Sequence, residues 1–417
     1  MVQQAAFSFS KHTGVELFAG GGGLAMGIHH AGFRPLLVNE FAKRACETLR
    51  LNVAQEYEDK EYLPQDGEPW PLVEGDVREI NFKYLQGKVD LLAGGPPCQP
   101  FSLGGVHKGD EDDRNMFPQF FRAIREIRPR AIMCENVRGL LRSSFRPYFD
   151  YIVRELSLPF VPREGASWQE HNALLQRRDE EIPDDSPDRY HVVPMEVNAA
   201  DYGVPQIRRR VIMVGFRADL GVDWSRFQPQ PTHSETALVR SMRLGDYWDR
   251  NGRKVPTSTR EAVEARLPAK LPDSDGLLPW RTLRDAIEGD GRSTRLPPIP
   301  PELLDRKEHF LGGFTDHVGW PGARIYQGHT PNELDRPAKT VKAGVHGVPG
   351  GELVMLLDDD SHRYMTVRET ARVMTFPDEW RLAGPRGEKM RQLGNAVPVL
   401  LAERFAQAIS EALESIT

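Results

Sequence analysis

The sequence predicts an α/β protein: a mostly parallel, doubly wound sheet joined to a smaller, irregular second domain. Three observations lead there. Short apolar runs alternate with helical patterns through the first third of the chain. A glycine-rich loop separates the first such run from the first helical pattern. The alternation then fades after Arg217, where prolines and glycines punctuate short segments. Strand–helix alternation at this spacing favours parallel strands with crossover helices.

Taken in order, 14–19 reads as a strand entering the glycine loop, and 24–31 as the helix leaving it. Residues 35–40 read as a second strand ending in an acid. Residues 89–94 and 131–136 read as buried strands, with a helix over 116–127 between them. Residues 211–216 form the last strong strand. The stretch 159–188 is polar and acidic, reads as a surface insertion, and holds a short helix over 168–178. Helical periodicity returns at 366–374 and in an amphipathic C-terminal helix from Val397 or Pro398 to about Leu413.

A length of 417 residues suggests two or three domains. With 39% hydrophobic and 27% charged residues, the chain can bury sizeable cores. It has no apolar stretch of bilayer-spanning length, and residues 1–11 carry no secretory signal pattern. Three cysteines, Cys46, Cys98 and Cys134, make no disulfide framework and suit a reducing cytoplasm. The Cys and His spacing fits no zinc site, so no metal is expected. A net charge of −6 does not advertise a polyanion-binding protein, yet a local basic face suffices for one.

The loop Phe18-Ala19-Gly20-Gly21-Gly22-Gly23-Leu24 opens a helix, where backbone N–H groups and a helix N-terminus meet a nucleotide-like ligand. Gly20-x-Gly22-x-x-Ala25 nearly fits the dinucleotide fingerprint. Glu40 ends the next strand and suits ribose hydroxyls. Asp76 ends another and suits an adenine amino group. These features imply an adenosine-bearing cofactor and leave a nicotinamide dinucleotide and S-adenosylmethionine both open. Cys98, ringed by Pro96, Pro97 and Pro100, follows the 89–94 strand where open α/β sheets bind ligands. Prolines fix the backbone around the thiol. Cys46 and Cys134 read instead as small buried hydrophobes.

With these residues in view, the chain resembles the DNA (cytosine-5) methyltransferase family of bacterial restriction–modification type. Seven signatures stand in family order: 18–23 (FAGGGG), Asn39-Glu40, Gly75-Asp76-Val77, Gly95-Pro96-Pro97-Cys98-Gln99, Glu135-Asn136-Val137, Gln206-Ile207-Arg208-Arg209-Arg210 and Gly394-Asn395-Ala396-Val397-Pro398. The resemblance covers about residues 13–217 and 362–417, and 336–344 looks like part of a target-recognition domain.

The resemblance implies a Rossmann-like, S-adenosylmethionine-dependent methyltransferase sheet with a smaller target-recognition domain. The catalytic domain would span 1–217 with 390–417, the recognition domain 218–361, and a hinge 362–389. It implies S-adenosylmethionine as cofactor, leaving S-adenosylhomocysteine. Its contacts would be Phe18, Ala19, Gly20, Gly22, Gly23, Leu24, Glu40, Phe41, Asp76, Val77, Pro97, Asn395 and Val397. It makes Cys98 the nucleophile at cytosine C6 and Glu135 the contact to N3, with Arg208 and Arg210 at the base. Gln99, Ser102, Arg114, Arg209, Lys339 and Thr340 would meet DNA. The partner is double-stranded DNA, with a restriction endonuclease acting separately on the same site. A monomer without membrane attachment is expected.

Each role has a chemical reason. Cytosine C5 is a poor nucleophile until a thiolate adds at C6, and a hydrogen bond at N3 eases that addition. The target atom is shielded within a stacked duplex, so the base must be flipped out. In an extended Gln-x-Arg-x-Arg run, Arg208 and Arg210 share a face and Arg209 points away. The rival readings are an RNA (tRNA) cytosine-5 methyltransferase, an amino-group methyltransferase, a nicotinamide oxidoreductase and a catalytically inactive DNA-binding homologue. Cys98 and Glu135 argue against the last three, and the long 218–361 segment argues for DNA.

Overall fold

The computed structural model describes residues 10–97, 115–250, 255–289, 294–304, 310–325, 327–343 and 353–416. The chain divides into two compact units. One comprises Met1–Val197, Arg209–Pro229 and Ala402–Thr417, and the other Asn198–Arg208 and Gln230–Leu401.

The first unit carries β1 (His12–Leu17), α1 (Gly23–His30), β2 (Phe33–Glu40), α2 (Lys43–Asn52), β3 (Ala54–Gln55), β4 (Trp70–Glu74) and β5 (Leu91–Gly94). It continues with α3 (Phe117–Ile127), β6 (Ala131–Val137), α4 (Arg146–Ser157), α5 (Trp168–Glu181), β7 (Tyr190–Asn198) and β8 (Arg209–Arg217). The strands form one sheet in the order β3-β4-β2-β1-β5-β6-β8-β7. Pairing is parallel from β3 through β6, and β8 then runs antiparallel to β6. Buried runs such as Leu91-Leu92-Ala93-Gly94 are what a strand covered on both faces requires.

The register decides where chemistry can sit. Leu17 pairs with Asn39 on one side and Gly94 on the other, and Gly94 pairs with Cys134. The next residues, Phe18, Glu40, Gly95 and Glu135, therefore follow that register line, with Phe18 and Gly95 just past their strands, Glu40 ending β2 and Glu135 still within β6. Chain order also reverses between β1 and β5, because β1 leads outward to β2 and β4 while β5 leads the other way to β6. Open α/β sheets bind ligands at such a switch point.

Helix α3 buries Phe117, Phe120, Phe121, Ile124 and Ile127, a spacing that keeps one stripe on the core. They pack in a cluster with Leu17, Leu92, Ile132 and Cys134. The polar stretch after 158 is ordered by α5. Its N-cap Ser167 and Glu170 form a reciprocal capping box. Trp168 packs edge-to-face on Tyr148 and at a tilt on Tyr151 of α4, with ring centroids 5.3 and 5.7 Å away. Helices α2 and α4 and strand β7 were not anticipated from sequence.

The second unit contains β9 (His233–Ser234), α6 (Glu235–Leu244), α7 (Asp246–Asp249), α8 (Thr257–Glu264), β10 (Leu278–Pro279) and α9 (Leu283–Glu288). After these come β11 (Phe310–Leu311), β12 (Phe314–Thr315), β13 (Asn332–Glu333), β14 (Val354–Leu356), β15 (His362–Tyr364), α10 (Val367–Val373) and α11 (Arg386–Asn395). The last helix, α12 (Val399–Glu414), carries the boundary between the units. One small apolar cluster joins Ala200, Leu238, Met242, Tyr247, Trp248 and Trp280.

Charge is buried here as well. Arg284 is fully buried and forks onto Asp335 (2.6 and 2.9 Å) and Asp358 (2.8 and 2.7 Å). Burial opposes its charge, but the hydrogen bonds with Asp358 and Asp335 outweigh it and raise the guanidinium pKa. Arg363 likewise forks onto the buried Glu369 (2.7 and 2.6 Å).

The division differs from the sequence expectation. Residues 198–208 and 390–401, expected with the catalytic domain, lie in the second unit, as does the expected hinge 362–389. Residues 218–229, expected to begin the recognition domain, stay with the first. The reason for 362–389 is local. Helix α10 is tied down by Arg363–Glu369, and buried Arg368 donates to the carbonyls of Thr315, Pro377 and Trp380.

Arg284→Met should therefore leave two carboxylates without their counter-charge. We expect a loss of about 3–5 kcal/mol in urea unfolding of the full chain, because breaking one partner of a buried pair exposes the other's desolvation cost.

Candidate functional site

The turn after β1 is held in a conformation that few residues adopt. Phe18 has φ 61°, Gly20 φ 55° and Gly22 φ 89°. The backbone N–H of Ala19 donates to the Asn39 carbonyl at 3.0 Å, and that of Gly22 to the Ala19 carbonyl at 3.0 Å. Helix α1 begins at Gly23 without a side-chain cap, a start suited to an anionic or polar ligand group.

Glu40 sits beside this turn. Its Oε2 accepts from Gly20 N and its Oε1 from Ala42 N, both at 2.7 Å. The carboxylate is thus oriented by the backbone, and each oxygen has a second acceptor lone pair for a hydroxyl. Phe41, next along, is 74% exposed and offers an aromatic face. Asp76 caps a short 3-10 turn over Val77–Glu79 by accepting from Arg78 N at 2.9 Å, and Val77 is buried beneath it. Asn39, which sequence reasoning quoted without a role, is buried and donates to the carbonyls of Val73 (3.0 Å) and Gly75 (3.1 Å). It fastens the turn carrying Asp76 to the strand carrying Glu40.

On the β5 side, Gly94 lies so close to β1 that a Cβ there would stand 2.8 Å from the Leu17 carbonyl oxygen. Beyond it, Pro96 is fixed by Asn136, whose Nδ2 donates to the Pro96 carbonyl at 2.9 Å. Pro97 O accepts from Met116 N at 3.1 Å, so the residues that flank 98–114 are joined to each other. Cys98, Gln99, Ser102 and Arg114 lie outside the described residues. Cys46 and Cys134 are buried, and burial, followed by the nearby Glu40 charge, pushes the Cys46 thiol up to about 12.

Glu135 lies near the end of β6, beside Gly95. Its Oε2 lies 3.4 Å from where a Gly95 Cβ would stand, and its Oε1 meets Arg210 Nε at 2.8 Å. Both side chains are 12% exposed. The pairing follows from register, since Val137 sits opposite Arg210 and Glu135 opposite Ile212 across β6 and β8. Arg209, next to it, is exposed.

Arg208 lies elsewhere. Strand β8 starts at Arg209, and Arg208 belongs to the second unit, 1% exposed. Its guanidinium donates to the carbonyls of Val341, Gly394 and Ala396, each at 2.9 Å. The expected shared face of Arg208 and Arg210 is thus not what the structure presents. In the same unit, Thr340 Oγ1 donates to the Ile207 carbonyl at 2.8 Å, and Lys339 Nζ donates to Thr330. Asn395 ends α11 exposed, and Val397 is buried.

Glu16 was missed from sequence, though an acid inside an apolar strand is its signal. It is buried in β1, and neither carboxyl oxygen has a hydrogen-bond partner among the described residues. Burial, followed by the Glu40 charge, pushes its carboxyl well above the usual value. Among the described residues, no group of three or more His, Cys, Asp or Glu is placed to hold a metal.

Comparison with known proteins bears on this geometry. The family model of C-5 cytosine-specific DNA methylases matches residues 12–158 and 185–411. The chain is 30% identical over 410 residues to the type II methyltransferase M.PspPI of Psychrobacter sp. (strain TA137), spanning 96% of this chain and 79% of that protein. It is 30% identical over 425 residues to the type II methyltransferase M.Eco47II of Escherichia coli, spanning 99% and 82%. The fold is shared with the Dnmt2 methyltransferase of S. pombe, at TM-score 0.53 and 15% identity over 98% of this chain and 100% of that one.

Glu16 yields a pH test. The folded state binds the Glu16 proton more tightly than the unfolded chain does, so Glu16's own contribution to stability falls as pH rises above about 4. Glu16→Gln removes that titration. We expect its urea midpoint to exceed wild type at neutral pH, with the difference shrinking to zero as the pH drops below about 4. Parallel curves would contradict the burial of an ionisable Glu16.

Proposed function

The chain belongs to the C-5 cytosine-specific DNA methylase family, and from that premise we propose how its residues share the work of methylating a flipped cytosine. The carbon-5 methylation of cytosine in DNA is the family's activity, and it favours DNA over the RNA alternative. The observation that carries the assignment of residues is the shared register line. The glycine turn, Glu40 and Glu135, and the Gly95-Pro96-Pro97 lead into Cys98, follow one register line near the carboxyl ends of β1, β2, β5 and β6.

S-adenosylmethionine fits the β1–β2–β4 side of that edge and, when bound, supplies an electrophilic methyl group. Glu40 accepts from the ribose hydroxyls, Phe41 stacks on the adenine, and Asp76 with the Val77 backbone meets the adenine edge. The turn Phe18 to Leu24 with Pro97 lines the rest, and Asn395 and Val397 complete the set by family resemblance. No metal enters the scheme.

Cys98 acts as the nucleophile. Its thiolate adds to C6 of the flipped cytosine, forming the S–C6 bond and moving the C5=C6 electron pair onto C5, which becomes enamine-like. Glu135 hydrogen-bonds N3 and stabilises the charge that develops on the ring. Arg210, held against Glu135 Oε1, orients that carboxyl and meets the base. After C5 has gained its methyl group, the C5 proton leaves and elimination breaks the S–C6 bond, returning the thiolate. Gln99, Ser102, Arg114, Arg209, Lys339 and Thr340 serve the DNA, with S-adenosylhomocysteine as coproduct. The names of the relatives support a restriction–modification role. The bacterial cytoplasm as its place, a separate endonuclease that cuts the unmethylated site, and a monomeric methylase belong to the same proposal.

Two experiments test the scheme. A duplex carrying 5-fluorocytosine blocks loss of the C5 proton, so wild-type enzyme with cofactor should form a complex that survives denaturing electrophoresis. Bisulfite sequencing of ordinary DNA treated with the enzyme identifies the site to place in that duplex. A complex that persists in Cys98→Ala would show that another residue attacks. In calorimetry with S-adenosylhomocysteine, Glu40→Ala should cost about 1–3 kcal/mol, as for hydrogen-bonding groups left unpaired. Undiminished affinity would remove Glu40 from the cofactor site.

A further inference from the structure

The Gln-x-Arg-x-Arg run is divided between the two units. Arg210 meets Glu135 in the first, whereas Gln206 and Arg208 are fully buried in the second. What they grip there is the recognition segment. Gln206 Oε1 accepts from Val341 N at 3.1 Å, and its Nε2 donates to Met374 Sδ. The backbone beside them is laced to the same segment, with Ile207 N donating to Ala338 O at 2.8 Å and Ala338 N to Pro205 O at 2.9 Å.

Arg208 adds a second grip. One guanidinium nitrogen donates to Val341 O, and the other donates to both Gly394 O and Ala396 O. Those last two carbonyls close the C-terminal end of α11, where helix carbonyls lack intrahelical donors and the dipole favours a cation. A cation from a remote strap supplies both needs. The approach is close as well as bonded. A Cβ on Gly394 would stand 2.3 Å from Ala343 N and 2.5 Å from Lys342 C, so the recognition segment crosses directly over that glycine.

We infer that Gln206 and Arg208 are positioning residues that clasp 338–343 to 394–396, so that the segment assigned to DNA and the segment assigned to cofactor respond as one piece. The assignment of Lys339 and Thr340 to DNA, and of Asn395 and Val397 to cofactor, comes from the proposed function, and the inference rests on that reading. The chemistry of arginine is needed for the clasp. A planar fork reaches carbonyls on two segments at once, whereas the single ammonium of lysine is a point donor. Ligand occupancy at one segment then biases the other, and the coupling is reciprocal.

The test is a binding square, using S-adenosylhomocysteine and a duplex carrying the site found by bisulfite sequencing. Each ligand's affinity is measured by calorimetry with and without the other. In wild type, each should tighten the other by the same factor, about 10-fold or more. In Arg208→Lys, that factor should fall to within about 2-fold of unity, while melting shows a folded protein that still binds each ligand alone. A purely structural role would weaken binding or lower the melting temperature and leave the ratio intact. Should Arg208→Lys fail to fold, Gln206→Met is measured in the same square, with the same loss expected. A folded variant that keeps the wild-type factor overturns the inference, as does a wild type with no coupling. A wild type that binds no S-adenosylhomocysteine overturns the cofactor reading instead, and the clasp's role with it.

Discussion

The close approach of β1 to β5 at Leu17 and Gly94 is the constraint on which the proposed site depends. A methyl group on Gly94 would collide with the Leu17 carbonyl and press on the Phe120 ring at 3.2 Å. Glycine there lets two parallel strands end level with each other while α3 packs beneath. The level ending sets Phe18 beside Gly95 in register, and the turn through Gly20 and Gly22 can then wind back onto Glu40. Any shift of β1 along β5 would separate the groups assigned to cofactor from those assigned to the base.

The two units are held by different physics. In the first, aromatic and aliphatic side chains from α3 and α4 close on a covered parallel sheet, a non-directional stabilisation proportional to buried apolar area. In the second, strands of two or three residues give little ladder, and buried charges are matched in pairs. Such pairs contribute little net stability against an apolar alternative, but their geometry is exacting. Arg284 with Asp335 and Asp358, or Lys389 with Asp316 at 2.7 Å, admits few other packings of the same segments.

Those differences explain what could be read from sequence. Strands β1, β2, β5 and β6 stand out because a strand buried on both faces carries a largely apolar run, and residues of distinct chemistry lie at or near their carboxyl ends. Helix α2 was harder to see, since its apolar stripe is little more than Ala45, Cys46 and Leu49. Arg284, Glu369 and Asp335 are core residues of the second unit, yet charged side chains read as surface when no partner is visible in the sequence. Arg208 was placed by alternation along an extended segment. The alternation presumed one continuous strand, whereas the strand begins one residue later and Arg208 belongs to a strap tied to distant carbonyls.

The burial of two of the three cysteines gives the molecule an intrinsic chemical reporter. Cys134 lies inside β6, and Cys46 is closed off in α2, with its Sγ donating to the Glu40 carbonyl at 3.3 Å. A thiol held near 12 carries almost no thiolate at neutral pH, and the thiolate is the form that alkylating reagents attack. Whatever alkylation the native protein undergoes at pH 7 is therefore a reading of Cys98 alone. The rate of that labelling follows the protonation and accessibility of a single sulfur without mutation of the other two. Protection by a bound duplex or cofactor can be followed on the unmodified chain.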